Sequence, residues 1–124
     1  MGEFRFRKEE RLNKKKIIEE LFDKGASFSV FPLKVIFAFQ PGPAPPLHQV
    51  LITVPSKNFK RAVDRNAIKR RIREGYRLNK ALFQASSTFS IAYIYIAKEV
   101  LPSPIIHKAM QSSFERLSSY EKKN

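Results

Sequence analysis

"KRAVDRNAIKRRIREGYR", residues 60–77, carries eight basic and two acidic side chains in eighteen positions, with apolar residues set between them at regular intervals. At about 100° per residue, Ile68, Ile72 and Tyr76 fall on one side of a helix, and Leu82 and Phe83 extend that side if the helix covers residues 62–84. Gly75 points the same way, where a small residue lets the helix lie close against a strand. Asn66, Arg70, Arg73 and Arg77 form a row on the opposite side. Lys69 and Lys80 stand on one shoulder of the row, while Arg61 and Arg65 lie nearer the core side and overhang whatever surface the helix packs on. The stretch therefore predicts a helix docked by its aliphatic face, with an arginine ridge turned outward.

A surface helix usually mixes signs, because opposite charges four residues apart stabilise it. Here Lys69/Arg73, Arg73/Arg77 and Arg61/Arg65 place like charges at that spacing, at a cost of about a few tenths of a kcal/mol per pair. A polyanion bound along the ridge offsets that repulsion, and arginines suit bidentate phosphate contacts. The whole chain points the same way: 24 Lys and Arg against 11 Asp and Glu give a net charge of +13 over 124 residues. Such an excess attracts polyanions, nucleic acid first among them. A membrane-surface role fits less well, because a peripheral helix pairs its basic face with large exposed apolar residues. No apolar run reaches the length of a membrane span. The absence of cysteine excludes disulfides and thiol catalysis and fits a reducing cytoplasm.

Outward from the basic helix, "RLNKKKIIEELFDKG" (11–25) reads as a helix with the apolar stripe Ile17, Ile18, Leu21, Phe22, stopped by Gly25. "FSVFPLKVIFAF" (28–39) is split by Pro32 into a short edge segment and a strand over 33–39. "QPGPAPPLHQ" (40–49), with four prolines and a glycine, is a loop whose flanking strands could pair as neighbours. "VLITV" (50–54) is the next strand. A third long strand over 89–97 is apolar on both faces, which predicts a central position. Ser103 and Pro104 open a last helix with the stripe Ile105, Ala109, Met110, Phe114, Leu117. Residues 1–10 are expected to be flexible and 118–124 to form a charged tail. The order α-β-β-β-α-β-α predicts one α+β domain over 1–124, a sandwich of one sheet of about four strands with helices packed on it.

A ridge alone binds nucleic acid without regard to sequence. Aromatic rings on an open sheet face would add stacking on unpaired bases, and Phe22, Phe37, Phe39, Tyr93 and Tyr95 are the candidates; the competing assignment for each is the core. Protein-borne catalysis has no constellation to rest on: Asp64 and Glu74 are ten residues apart on the helix, and His48 and His107 are isolated.

The quoted stretch closely resembles the signature of the bacterial ribonuclease P protein family. Ala62-Val63, Arg65-Asn66, Ile68-Lys69-Arg70 and Arg73-Glu74 match it, and so do Arg11-Leu12 and the "LFDKG" that closes the first helix at 21–25. The likeness covers nearly the whole chain. Two positions depart: Ala67 stands where the family has arginine, so that contact is lost or supplied elsewhere, as by Arg71, and "NFKRAV" (58–63) lacks the usual glycine. The resemblance implies a fold like ribosomal protein S5 domain 2. It implies a subunit that does not itself cut RNA, the chemistry being carried by a catalytic RNA with bound Mg²⁺ that removes the 5′ leader of precursor tRNA. No catalytic residue, metal site, organic cofactor or further protein partner is then expected in this chain, which would act in the cytoplasm. The RNA-binding residues would be Lys57 and Lys60 of the basic turn with Arg61, Arg65, Asn66, Lys69, Arg70, Arg73 and Arg77. Phe22, Phe37 and Ile18 take the positions that line the leader cleft. The alternative is a structural RNA-binding domain, like a ribosomal protein, with no part in tRNA processing.

Overall fold

The computed structural model describes residues 10–41, 48–83 and 87–123. The first helix, α1, spans Lys15–Lys24, starting four residues later than the helix expected over 11–25. Arg11 and Leu12 instead run beside the strand at Val50, with the Leu12 N–H donating to the Val50 carbonyl at 2.9 Å. Gly25 ends α1 in an extended conformation and donates to the Leu21 carbonyl at 2.8 Å. What it supplies is closeness: a Cβ there would sit 2.5 Å from the Leu21 oxygen and 3.0 Å from Ile36 Cγ2.

Strands β1 (Ala26–Val30) and β2 (Leu33–Pro41) form an antiparallel pair divided at Pro32. Then follow β3 (Gln49–Thr53), α2 (Ala62–Asn79), β4 (Ser87–Tyr95) and α3 (Ser103–Lys123). The single four-stranded sheet has the order β1-β2-β4-β3, with β4 antiparallel to β2 and parallel to β3. The strands flanking the proline-rich loop are therefore not neighbours. A parallel pair needs a crossover, and α2 provides it between β3 and β4; the doubly apolar β4 takes the central slot that β3 would otherwise have filled. Residues 42–47 of the loop lie outside the described residues, and Gln40, Pro41 and Gln49 are strand residues.

The sheet separates two cores. On one face Leu33, Val35 and Phe37 of β2 and Phe89, Ile91, Tyr93 and Tyr95 of β4 pack against Ile68, Ile72 and Tyr76 of α2 and Ile106, Met110, Phe114 and Leu117 of α3. The two buried strand hydroxyls are satisfied: Tyr93 pairs with Ser113 Oγ at 3.0 Å, and Tyr95 donates to the Glu99 carbonyl at 2.6 Å. On the other face α1 buries only Leu21, with Leu12, Ile36 and Ala92, flanked by half-buried Ile17, Ile18, Leu51 and Ile94.

Three expectations need correction. The basic helix stops at Asn79 and continues as a short 3-10 turn, Lys80–Leu82, so Phe83 reaches the core from beyond the helix, stacked on Phe114 at 5.0 Å. Gly75 faces α3, not a strand: a Cβ would lie 2.7 Å from Met110 Cγ and 3.2 Å from His107 Cδ2, so the missing side chain is what lets the two helices touch. The stretch expected as a charged tail continues α3 as far as Lys123, with Tyr120 stacked on Phe28 at 5.8 Å. The flexibility expected of residues 1–10 concerns positions outside the described residues except Glu10, which is buried at 4% exposure.

Candidate nucleic-acid interface

The entry into α2 is built without the glycine. Phe59 is buried against Tyr95, ring centroids 5.7 Å apart, and anchors the turn. Arg65 then reaches back one turn, its Nη1 donating to the carbonyls of Phe59 at 2.6 Å and Lys60 at 3.0 Å. Arg65 thus closes the turn that enters α2. Lys57, Lys60 and Arg61 are exposed on that turn. Asp64 lies in the first helical turn, where the helix dipole favours a negative charge.

Along the outer side, Asn66 and Arg70 are exposed and Lys69 and Arg73 half-buried. Among the described residues neither Arg70 nor Arg73 is engaged by a carboxylate. Arg77 is half-buried and already has a partner, so the open part of the ridge is the stretch from Asn66 to Arg73. Arg71 donates through Nη1 to the Leu101 carbonyl at 2.8 Å, on the loop between β4 and α3. That bond draws it toward the loop before α3.

Lys69 and Arg73 also line a groove of about 270 Å³ with Arg11, Asn13 and the β3 residues Leu51 and Ile52. Arg11 and Asn13 were not among the expected site residues. The only signal for them was the basic start at Arg11-Leu12; nothing local shows that this segment lies along β3. Lys80, on the ridge shoulder by helical angle, is drawn off by Glu10, whose Oε1 accepts from Nζ at 2.7 Å. The other carboxylate oxygen accepts from the Tyr76 hydroxyl at 3.0 Å. Burial first, and the Glu10 charge second, push the Tyr76 pKa far upward, which keeps that hydroxyl a donor.

The second expected surface divides. Phe22 is 46% exposed on α1 and is available for stacking. Ile18, one turn earlier, is half-buried in the small core with Leu51 and Ile94. Phe37 is corrected: at 2% exposure it lies on the face covered by α2 and α3, among Phe28, Phe89 and Tyr120. Strand alternation carries Phe39, Tyr93 and Tyr95 to the same covered face. What the α1 side offers instead is a groove of about 330 Å³ between Ile17, Glu20 and Lys24 of α1 and Ala38, Thr88 and Ser90 of the sheet. Phe22 and Ile18 do not line it; their spacing puts them on the neighbouring side of the helix.

No group of three or more His, Asp or Glu stands together among the described residues to hold a metal ion. His48 accepts the Phe89 N–H on Nδ1 at 3.0 Å and packs on Phe83 at 4.8 Å. Burial lowers its pKa, against smaller upward pulls from Glu10 and Glu121. His107 sits in the seam between α2 and α3, against Gly75. No described helix is long and apolar enough to cross a membrane.

Residues 6–118 match the family model for ribonuclease P. The ribonuclease P protein component of Porphyromonas gingivalis is 33% identical over 120 residues, covering 93% of this chain and 88% of the relative. Among solved structures, the ribonuclease P protein of Thermotoga maritima superposes with a TM-score of 0.71 at 24% identity, over 86% of this chain and 96% of that one. A Staphylococcus aureus ribonuclease P protein mutant with defective mRNA degradation activity gives 0.69 at 22% identity, over 87% of each chain. The mixed sheet and the element order are those of that fold, and the chain belongs to the family of bacterial ribonuclease P proteins.

Proposed function

We propose that this chain binds the catalytic RNA of ribonuclease P through the outer side of α2 and holds the single-stranded 5′ leader of precursor tRNA along the side of the molecule that α1 leaves open. The observation that carries this reading is the open stretch of the ridge from Asn66 to Arg73. Arg70 and Arg73 stand on a helix whose opposite side is core, and no carboxylate among the described residues neutralises them. Like charges left facing one another on a folded helix make sense when phosphates lie between them. Lys57, Lys60 and Arg61 extend the same charge around the start of α2, and Lys69 and Arg73 carry it into the groove beside β3. Phe22 supplies an exposed ring for a leader base.

In this reading the hydrolysis belongs to the RNA, in the cytoplasm. In the same reading Mg²⁺ is held mainly by the RNA, and the protein's part is to bind and orient. A basic subunit also screens RNA phosphates from one another and so lowers the Mg²⁺ needed to hold the active arrangement. The test is reconstitution: a bacterial-type ribonuclease P RNA is mixed with the chain at low Mg²⁺ and cleavage of precursor tRNA is timed. Faster cleavage with the protein than without is expected. Tight binding with no stimulation would instead assign the chain a structural RNA-binding role.

A further inference from the structure

Among the described residues one acidic side chain beside the basic helix is buried. Glu10 is 4% exposed, and both its carboxylate oxygens are engaged on the last turn of α2 and just beyond it, by Tyr76 at 3.0 Å and Lys80 at 2.7 Å. Burying a carboxylate costs desolvation that an ion pair only partly offsets. Placing it here also removes Lys80 from the ridge and subtracts from the attraction for phosphate. Neither effect favours RNA binding if charge is all that matters. The geometry gives a reason. Two residues on, the Leu12 N–H donates to the Val50 carbonyl at 2.9 Å, and the Leu12 side chain is buried in the small core. Residues 10–12 are thus pinned at both ends, to α2 by Glu10 and to β3 by Leu12. The segment so pinned forms the wall of the groove that Lys69 and Arg73 line from the other side, with Arg11 and Asn13 in it.

We infer that Glu10 is a positioning residue for the RNA surface: its grip on Tyr76 and Lys80 latches residues 10–13 beside α2, so that Arg11 and Asn13 join Lys69 and Arg73 in one binding groove. This deepens the RNA-binding reading and rests on it. The latch predicts an effect opposite in sign to electrostatics. Glu10→Lys raises the net charge by two units, so a purely electrostatic surface would bind RNA more tightly. With the latch broken and the introduced ammonium facing that of Lys80, binding weakens.

The experiment uses the full chain and a bacterial-type ribonuclease P RNA as the probe, at one fixed salt concentration. Amide hydrogen exchange at Leu12 serves as a direct readout of the strap. Glu10→Lys is expected to lose the protection of the Leu12 amide and to bind about three- to tenfold more weakly, the equivalent of roughly one or two phosphate contacts. The double variant Glu10→Lys with Lys80→Glu restores the pair at the wild-type net charge and recovers both readouts. Equal or tighter binding by Glu10→Lys overturns the proposal, as does a Leu12 amide still protected in that variant, or a folded double variant that recovers neither readout. If Glu10→Lys does not fold, Glu10→Gln keeps the shape without the charge, and binding by it equal to wild type is the overturning result. Arg70→Ala with Arg73→Ala separates the two levels. If that variant binds as wild type, the RNA reading fails and the latch with it. If it weakens while Glu10→Lys does not, only the latch falls.

Discussion

The two faces of the sheet are covered very unevenly. Toward α2 and α3 the strands present rings and branched side chains at full burial, and two helices close over them. Toward α1 the small core among the described residues holds only Ile36 and Ala92 of the sheet with Leu21 of the ten-residue helix and Leu12, and a groove is left beside it. The difference teaches how a small basic protein divides its work. Self-repulsion from +13 net charge is carried by one dense core, which frees the thinly covered face and the outer side of α2 for a ligand.

Two phenylalanines, one on each side, test that division. Phe37→Ala removes a ring from the dense core and is expected to cost about 3–5 kcal/mol of stability, read from urea denaturation. A loss below roughly 1 kcal/mol would mean that the covered face is not the stabilising one. Phe22→Ala removes an exposed ring. It should leave the denaturation midpoint nearly unchanged while weakening precursor tRNA binding by about 1 kcal/mol or more, in the range of one base stack, and mature tRNA binding much less. Equal losses for the two tRNAs would take Phe22 off the leader path.

A smaller effect sharpens the comparison from the edge of the dense core. The folded state lowers the pKa of His48 from its ordinary value of 6.5, chiefly by burial. A depressed folded pKa means that the unfolded chain binds the extra proton first. Stability is therefore full above the unfolded value and declines as pH falls below about 6.5. Protonation also removes the Nδ1 acceptor of the Phe89 N–H. Thermal midpoints measured from pH 7.5 down to 5 should fall for the wild type, and His48→Gln should remove part of that fall. Parallel curves would assign the decline to other groups.

Much of this arrangement was legible in local pattern. Ile68, Ile72 and Tyr76 against Asn66, Arg70 and Arg73 separate cleanly at helical spacing, and β4, apolar on both faces, is central. The strand bearing Phe37 shows where reading stopped short. Period two defines two sets, Leu33-Val35-Phe37-Phe39 and Lys34-Ile36-Ala38. The bulkier set is the covered one, so the relative size of the two sets was a usable sign that Phe37 is core. The pairing of β2 with β4 and the grip of Glu10 on Lys80, seventy residues away, had no such sign. They follow from how the crossover and the N-terminal strap close in space, and no window along the chain contains both partners.

The division of labour within α2 itself has the most direct test. Affinity for a bacterial-type ribonuclease P RNA is measured across a salt series for the wild type and for Arg70→Ala with Arg73→Ala, alongside their urea midpoints. If about six side chains meet phosphates, log K should fall with log salt at a slope of roughly −5 for the wild type. The double variant should bind more weakly with a slope shallower by about 2, at a stability within about 0.5 kcal/mol of wild type. Equal slopes, or a double variant that loses stability in place of RNA affinity, would contradict an outward ridge built for a polyanion.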